Sequence, residues 1–229
     1  MLEQLRQEVL AANLALPAHG LVTLTWGNAS GIDRSRGLVA IKPSGVPYEQ
    51  LTAEEIVVVD LEGEVVEGRR RASSDTPTHL VLYEAFEEIG GIVHVHSPWA
   101  TAWAQAQREI PVLGTTHADL SPHSIPLTRA LSEEEIASGY ERATGAALVE
   151  AVAARGPLEL PTALARGHAP FSWGPDPSAA VEHAITLERV AQTALLTLML
   201  DPGAAGLADA VRDKHFERKH GPGAYYGQR

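Results

Sequence analysis

Apolar residues return at helical spacing from the start of the chain: Leu2, Leu5, Val9 and Leu10 recur every three or four positions. The spacing predicts an amphipathic helix over residues 2–16. The pattern then shortens. Leu21–Trp26 and Leu38–Lys42 read as strands, closed by the turns Gly27-Asn28-Ala29-Ser30 and Pro43-Ser44-Gly45-Val46-Pro47. Ile56–Asp60 and Glu64–Glu67 read as a hairpin around Glu62-Gly63, and Arg69-Arg70-Arg71 as a solvated loop. Ser74-Asp75-Thr76-Pro77 opens a helix that runs through Leu80, Leu82 and Phe86, with Pro77 suited to a first turn.

The run Gly91-Ile92-Val93-His94-Val95-His96 alternates as a strand, which sends His94 and His96 to one face. Ser97-Pro98 then supplies a helix N-cap and a first helical residue, for a helix reaching about Gln107. Val112–Asp119 reads as a loop or short strand. Ser132-Glu133-Glu134-Glu135 resembles a capping box opening a short helix, and residues 144–154 are alanine-rich and helical. Leu164–Phe171 is a short strand or turn carrying His168. Pro177–Leu200 is a long apolar helix with Val181, Ala184, Ile185, Val190 and Leu195 toward a core, and a loop at 203–206 leads to the tail.

A length of 229 residues with 45% hydrophobic content suits one α/β domain with a full core. Acidic residues outnumber basic ones, 29 to 18, for a net charge of −11. That balance argues against a general nucleic-acid-binding surface, while one Lys and a few backbone amides can still bind a small phosphate. The chain has no cysteine, so a metal must be held by His, Asp, Glu or water. No apolar run has membrane-spanning length. The opening Met1-Leu2-Glu3-Gln4-Leu5-Arg6 lacks the features of a signal peptide, so a cytoplasmic protein is expected.

His94 and His96 supply half of a metal site, and His168, between Gly167 and Ala169-Pro170, is a candidate third ligand. Three imidazoles with an open position suit Zn²⁺, and less tightly Mn²⁺ or Co²⁺. Three further segments combine small residues with hydrogen-bond donors: Gly27-Asn28, Lys42-Pro43-Ser44-Gly45 and Ser73-Ser74. Together they can bind a phosphate; singly, each reads as an ordinary turn or cap. Ser73-Ser74 also precedes a helix N-terminus, which favours an anion. Asp75 reads either as an N-cap or as a carboxylate near the metal. Asp119 is a candidate acid or base, and Tyr226 a candidate proton donor or docking residue.

Jointly these residues resemble the L-ribulose-5-phosphate 4-epimerases of the class II sugar-phosphate aldolase/epimerase superfamily. The resemblance runs nearly end to end. It is carried by Leu21–Asn28, Ile41–Val46, Ser73–His79, Gly90–Ser97 and Gly114–Asp119, and by the tail segments Asp213-Lys214-His215, Arg218-Lys219-His220-Gly221 and Ala224-Tyr225-Tyr226-Gly227-Gln228. It implies a three-layer αβα sandwich around a central, mostly antiparallel sheet, with residues 1–229 as one such domain. It implies a C4 homotetramer with active sites at subunit interfaces, a divalent metal, usually zinc, and a sugar-phosphate substrate. His94, His96 and His168 fall at the family's metal-binding histidines, with Asp75 close to the metal. Asn28, Lys42, Ser44, Gly45, Ser73 and Ser74 fall at its phosphate contacts. Asp119 and Tyr226 fall at its proton-transfer residues, with Tyr226 reaching over from a neighbouring subunit, and His215 at a further active-site position.

Asp75 separates the two activities of the superfamily, because the related aldolases carry glutamate there. The implied reaction interconverts L-ribulose 5-phosphate and D-xylulose 5-phosphate by retro-aldol cleavage and rejoining. An aldolase that releases its fragments, and a non-catalytic metal-binding scaffold, are the rival readings. Two segments depart from the family pattern. Leu120-Ser121-Pro122-His123 stands where the epimerases are aromatic-rich, and Arg166-Gly167-His168-Ala169 where Ser-His-Gly is more usual.

Overall fold

Seven strands form one sheet in the order β4-β3-β2-β1-β5-β7-β6, every neighbouring pair antiparallel. They are β1 (Asn28–Asp33), β2 (Leu38–Ile41), β3 (Val57–Asp60), β4 (Val65–Glu67), β5 (Gly91–His94), β6 (Thr162–Leu164) and β7 (Pro170–Gly174). The helices are α1 (Leu2–Ala18), α2 (Thr76–Ala85), α3 (Pro98–Gln105), α4 (Thr115–Leu120), α5 (Glu133–Val152), α6 (Pro177–Leu200) and α7 (Asp209–His220). The computed structural model describes residues 2–227. Met1 and Gln228, both within motifs quoted above, lie outside the described residues.

The central strands are buried on both faces, which explains their nearly continuous apolar sequences. One face carries Val39, Val57, Val59, Ile92, Phe171 and Trp173 against α2 and α5. The other presents Ala29, Ala40, Val58 and Val93 to α1 and α6. The result is three layers, αβα, as the family resemblance implies. No helix of the described residues is long and apolar enough to cross a membrane.

Several elements differ from the sequence expectation. Leu21–Trp26 is a loop, not a strand, and the expected turn at Gly27–Ser30 is where β1 begins. This loop has no ladder partner; backbone bonds such as Trp26 N–H to the Thr23 carbonyl hold it. The 112–119 segment is helical at its end, as α4. The two helices expected at 132 and 144 are both present within α5, separated by a kink at the non-helical Gly139, so the second begins a few residues earlier than expected. The Ser132/Glu135 capping box is present as expected. The tail holds α7, which apolar periodicity could not reveal because none of its residues is buried.

Sheet register decides where the site lies. Asn28 pairs with His94, and His94 pairs with Phe171. Three central strands therefore end together, and β2 finishes at the same end, immediately before Lys42. A short bridge between Pro43 and Ala72 then lays residues 42–44 beside 71–73, through Ser44 N–H to the Arg71 carbonyl and Ser73 N–H to the Lys42 carbonyl.

Candidate active site

A cleft of about 490 Å³ opens at this end of the sheet. Its walls bring together ten of the predicted residues: Asn28, Lys42, Ser44, Gly45, Ser73, Ser74, Asp75, His94, His96 and His168. Thr25, Trp26 and Gly27 complete one side.

The three histidines come from different structural settings. His94 closes β5, His96 follows two residues on in extended chain before α3, and His168 sits in the turn between β6 and β7. The strand thus ends one alternation earlier than expected, yet both imidazoles still converge. The ring centroids form a triangle with each side 4.9 Å. One nitrogen of each ring lies within 4.8 Å of the others, and His96 Nε2 and His168 Nε2 are 3.2 Å apart. Two ligands on a tetrahedral zinc, with bonds of about 2.0–2.1 Å, lie ~3.3 Å apart, so this spacing fits a shared ion.

The surroundings fix how the rings face. His94 is buried and stacks on Phe171 at 4.1 Å between centroids. Its Nδ1 pairs with the Pro170 carbonyl at 3.0 Å, which makes Nδ1 the donor. That leaves the buried Nε2 as a lone pair with no partner, the state required of a metal ligand. His168 Nδ1 is engaged by the Tyr140 hydroxyl at 3.1 Å. Burial pushes the His94 imidazole down to about 3, and lowers His96 and His168 as well. All three are therefore neutral near pH 7, and a neutral imidazole is the ligating form.

Asp75 precedes α2 but does not cap it with its side chain. Its Oδ2 accepts from Asn28 Nδ2 at 2.7 Å, and the same amide reaches Ser73 Oγ at 3.1 Å. Burial raises the Asp75 carboxyl, yet the net shift is downward: the Asn28 bond favours the carboxylate, and His94, His79 and His168 favour it further when protonated. It lies in the same cleft, outside the three-imidazole triangle. Gly27 is required beside it. Its φ is +81°, and a Cβ there would meet the His94 carbonyl oxygen at 2.9 Å.

Asp119, His215 and Tyr226 do not line this cleft. They form a second cluster where α4 meets α7. Arg218 clamps the Asp119 carboxylate through two bonds of 3.0 and 2.6 Å, and His215 Nδ1 adds a third at 3.1 Å. Burial raises the Asp119 carboxyl, while Arg218, His215 and Lys219 hold it below the usual range. Tyr226 is exposed, with its ring against Lys219 and Arg218. Sequence reasoning assigned no role to Arg218 or Tyr140. Arg218 was legible as a cation three residues after His215 on one helix face. Tyr140 carries no local signal, because a chain fold of 28 residues brings it to His168.

Comparison with known proteins gives the family. Residues 7–195 match the family described as Class II Aldolase and Adducin N-terminal domain. L-ribulose-5-phosphate 4-epimerase UlaF of Salmonella paratyphi A is 53% identical over 228 residues, covering 100% of both chains. Among solved structures, an L-fuculose 1-phosphate aldolase superposes with a TM-score of 0.80 at 24% identity, over 94% of this chain and 95% of its own. The L-fuculose-1-phosphate aldolase of Thermus thermophilus gives 0.68 at 26% identity, over 90% and 100%. On this match, and on the end-to-end similarity to the epimerase, the chain belongs to the class II aldolase and adducin N-terminal domain family, in the company of its L-ribulose-5-phosphate 4-epimerases.

Proposed function

We propose that this protein is an L-ribulose-5-phosphate 4-epimerase, interconverting L-ribulose 5-phosphate and D-xylulose 5-phosphate. The observation that carries this reading is the pairing, in one cleft, of three convergent imidazoles with the anion donors of three loops. The name of the 53%-identical relative supplies the substrate. Asp75, rather than glutamate, favours epimerisation over release of fragments.

Zinc is the proposed metal, held by His94, His96 and His168 with Asp75 beside it; Mn²⁺ or Co²⁺ are the alternatives. When bound, the ion supplies a Lewis acid for the negative charge that develops as the C3–C4 bond opens. That route is favoured because C4 is not adjacent to the C2 carbonyl, so its hydrogen is not acidic. Cleavage moves the C4 hydroxyl proton to a base and yields a dihydroxyacetone fragment and glycolaldehyde phosphate. Lys42, Asn28, Ser44, Gly45, Ser73 and Ser74 hold the phosphate while the aldehyde turns and presents its other face. The bond re-forms with C4 inverted, and the proton returns to oxygen.

Asp119 and Tyr226 are the proposed proton carriers on opposite faces of C4, with His215 supporting Asp119. Neither carrier lines the cleft of its own chain, which supports a neighbouring subunit as the donor of at least Tyr226. We therefore propose a C4 homotetramer with active sites between subunits, the chain acting as one domain in the cytoplasm. No nucleic acid or membrane takes part.

The test is NMR of L-ribulose 5-phosphate incubated with zinc-loaded protein in D₂O. D-xylulose 5-phosphate without deuterium at C4 is the expected product. Accumulation of free glycolaldehyde phosphate and dihydroxyacetone makes the protein an aldolase instead. No turnover with zinc bound refutes this substrate and directs attention to the altered segment Leu120–His123.

A further inference from the structure

Lys42 is buried (1% exposed), yet its ammonium makes one hydrogen bond among the described residues, from Nζ to the Thr25 carbonyl at 3.2 Å. An ammonium carries three donors, and an unpaired buried charge is costly. What faces the charge is the ring of Tyr48, 4.7 Å from Nζ to the centroid. A desolvated ammonium over an aromatic face is attracted by the ring quadrupole. The contact leaves the remaining ammonium donors uncommitted at the wall of the cleft.

The other end of Tyr48 acts on the loop whose Thr25 carbonyl meets Lys42. Its hydroxyl lies 2.9 Å from both the Trp26 and Gly27 carbonyl oxygens, and its proton is shared between them. Gly27 at φ +81° turns its carbonyl to this hydroxyl, and the next residue is Asn28, which bonds Asp75 and Ser73. The loop that Tyr48 ties also carries Leu24, in the left-handed region at φ +53° and 77% exposed. A bulky residue there is strained, so the loop needs an external tie to keep its shape.

We propose that Tyr48 is a positioning residue for the phosphate end of the cleft, its ring seating the Lys42 ammonium and its hydroxyl fixing the Trp26–Gly27 backbone. The inference rests on reading Lys42 as a phosphate donor. Burial lowers the Lys42 ammonium from its ordinary value, so a ring face that favours the charged form also serves anion binding.

The test compares Tyr48→Phe, Tyr48→Leu and Lys42→Met as full-length, zinc-loaded proteins. Calorimetry with inorganic phosphate reads the site without turnover, and KM against kcat reads it with substrate. Tyr48→Leu is expected to weaken phosphate binding and raise KM by about tenfold or more, with kcat changed less than about threefold and zinc content unchanged. Tyr48→Phe keeps the ring and is expected to raise KM by about fivefold. A leucine variant no weaker than the phenylalanine variant overturns the role of the ring. A phenylalanine variant with the wild-type KM overturns the role of the hydroxyl, and this arm decides should the leucine variant fail to fold. If Lys42→Met binds phosphate as the wild type does, the assignment of Lys42 fails, and the inference fails with it.

Discussion

At the scale of single residues, the ligand atoms are prepared by neighbours that are not ligands. The Pro170 carbonyl accepts a hydrogen bond from His94 Nδ1–H, and the Tyr140 hydroxyl engages His168. Such partners orient a ligand ring and set which nitrogen is free. His96 differs: among the described residues its Nε2 meets the His168 Nε2 at 3.2 Å, and two neutral imidazoles meeting there need a shared proton or ion. His96→Asn should therefore abolish stoichiometric zinc binding while leaving the fold intact, since His96 is only half-buried. Elemental analysis of the purified variant checks this; retention of one zinc per chain would remove His96 from the ligand set. The pairing of His94 with His96 was legible from the strand pattern alone. The roles of Pro170 and Tyr140 were not, because no local pattern marks a residue that acts by contact with another segment.

At the scale of elements, α3 shows how a helix start can be held from a distance. Ser97 is its N-cap residue, as the sequence suggests, but the Ser97 hydroxyl makes no capping bond and is buried without a partner. The capping is done by Glu188 of α6, whose two carboxylate oxygens each accept a backbone N–H, from Trp99 and Ala100, at 2.9 Å. A carboxylate at this point also complements the helix dipole. Glu188→Ala leaves the buried Ala100 N–H and the part-buried Trp99 N–H without their acceptor, and an unpaired buried group costs roughly 1–3 kcal/mol. Urea denaturation should show a loss of that order, and an unchanged midpoint would mean that water replaces the carboxylate without cost. The contrast between elements has one cause. Period and capping signals describe helices well where the capping is local, as in α5 with Ser132 and Glu135. They fail for Leu21–Trp26, whose alternating pattern suits a strand but finds no neighbouring strand to pair with.

At the scale of the whole molecule, the buried imidazoles link folding to pH. Burial lowers His79 and His117 to about 4, below the value of about 6.5 expected in the unfolded chain. Between these values the unfolded state binds more protons, so stability rises with pH. The contribution is complete above pH 6.5 and is lost as pH falls toward 4. Metal-free protein should therefore lose on the order of a few kcal/mol across that window, by denaturant titration at several pH values. A flat profile would mean that these imidazoles are already neutral, or already paired, in the unfolded state.

The sequence by itself determined the chemical inventory and its family: three histidines without cysteine, three small-residue donor segments, an aspartate at position 75, and motifs in family order. It also determined the elements whose periodicity is strong, such as α1 and α6. Tertiary structure alone decided which of these residues share a cleft. Asn28, His94 and Phe171 meet through the register of three antiparallel strands, which no short-range pattern encodes. Asp119, His215 and Tyr226 instead gather around Arg218, away from that cleft, although their motifs look equally catalytic in the sequence. The reason is physical. Periodicity and turn chemistry act within a few residues, whereas a site is built from contacts across dozens, chosen by how the sheet pairs and which faces its helices bury.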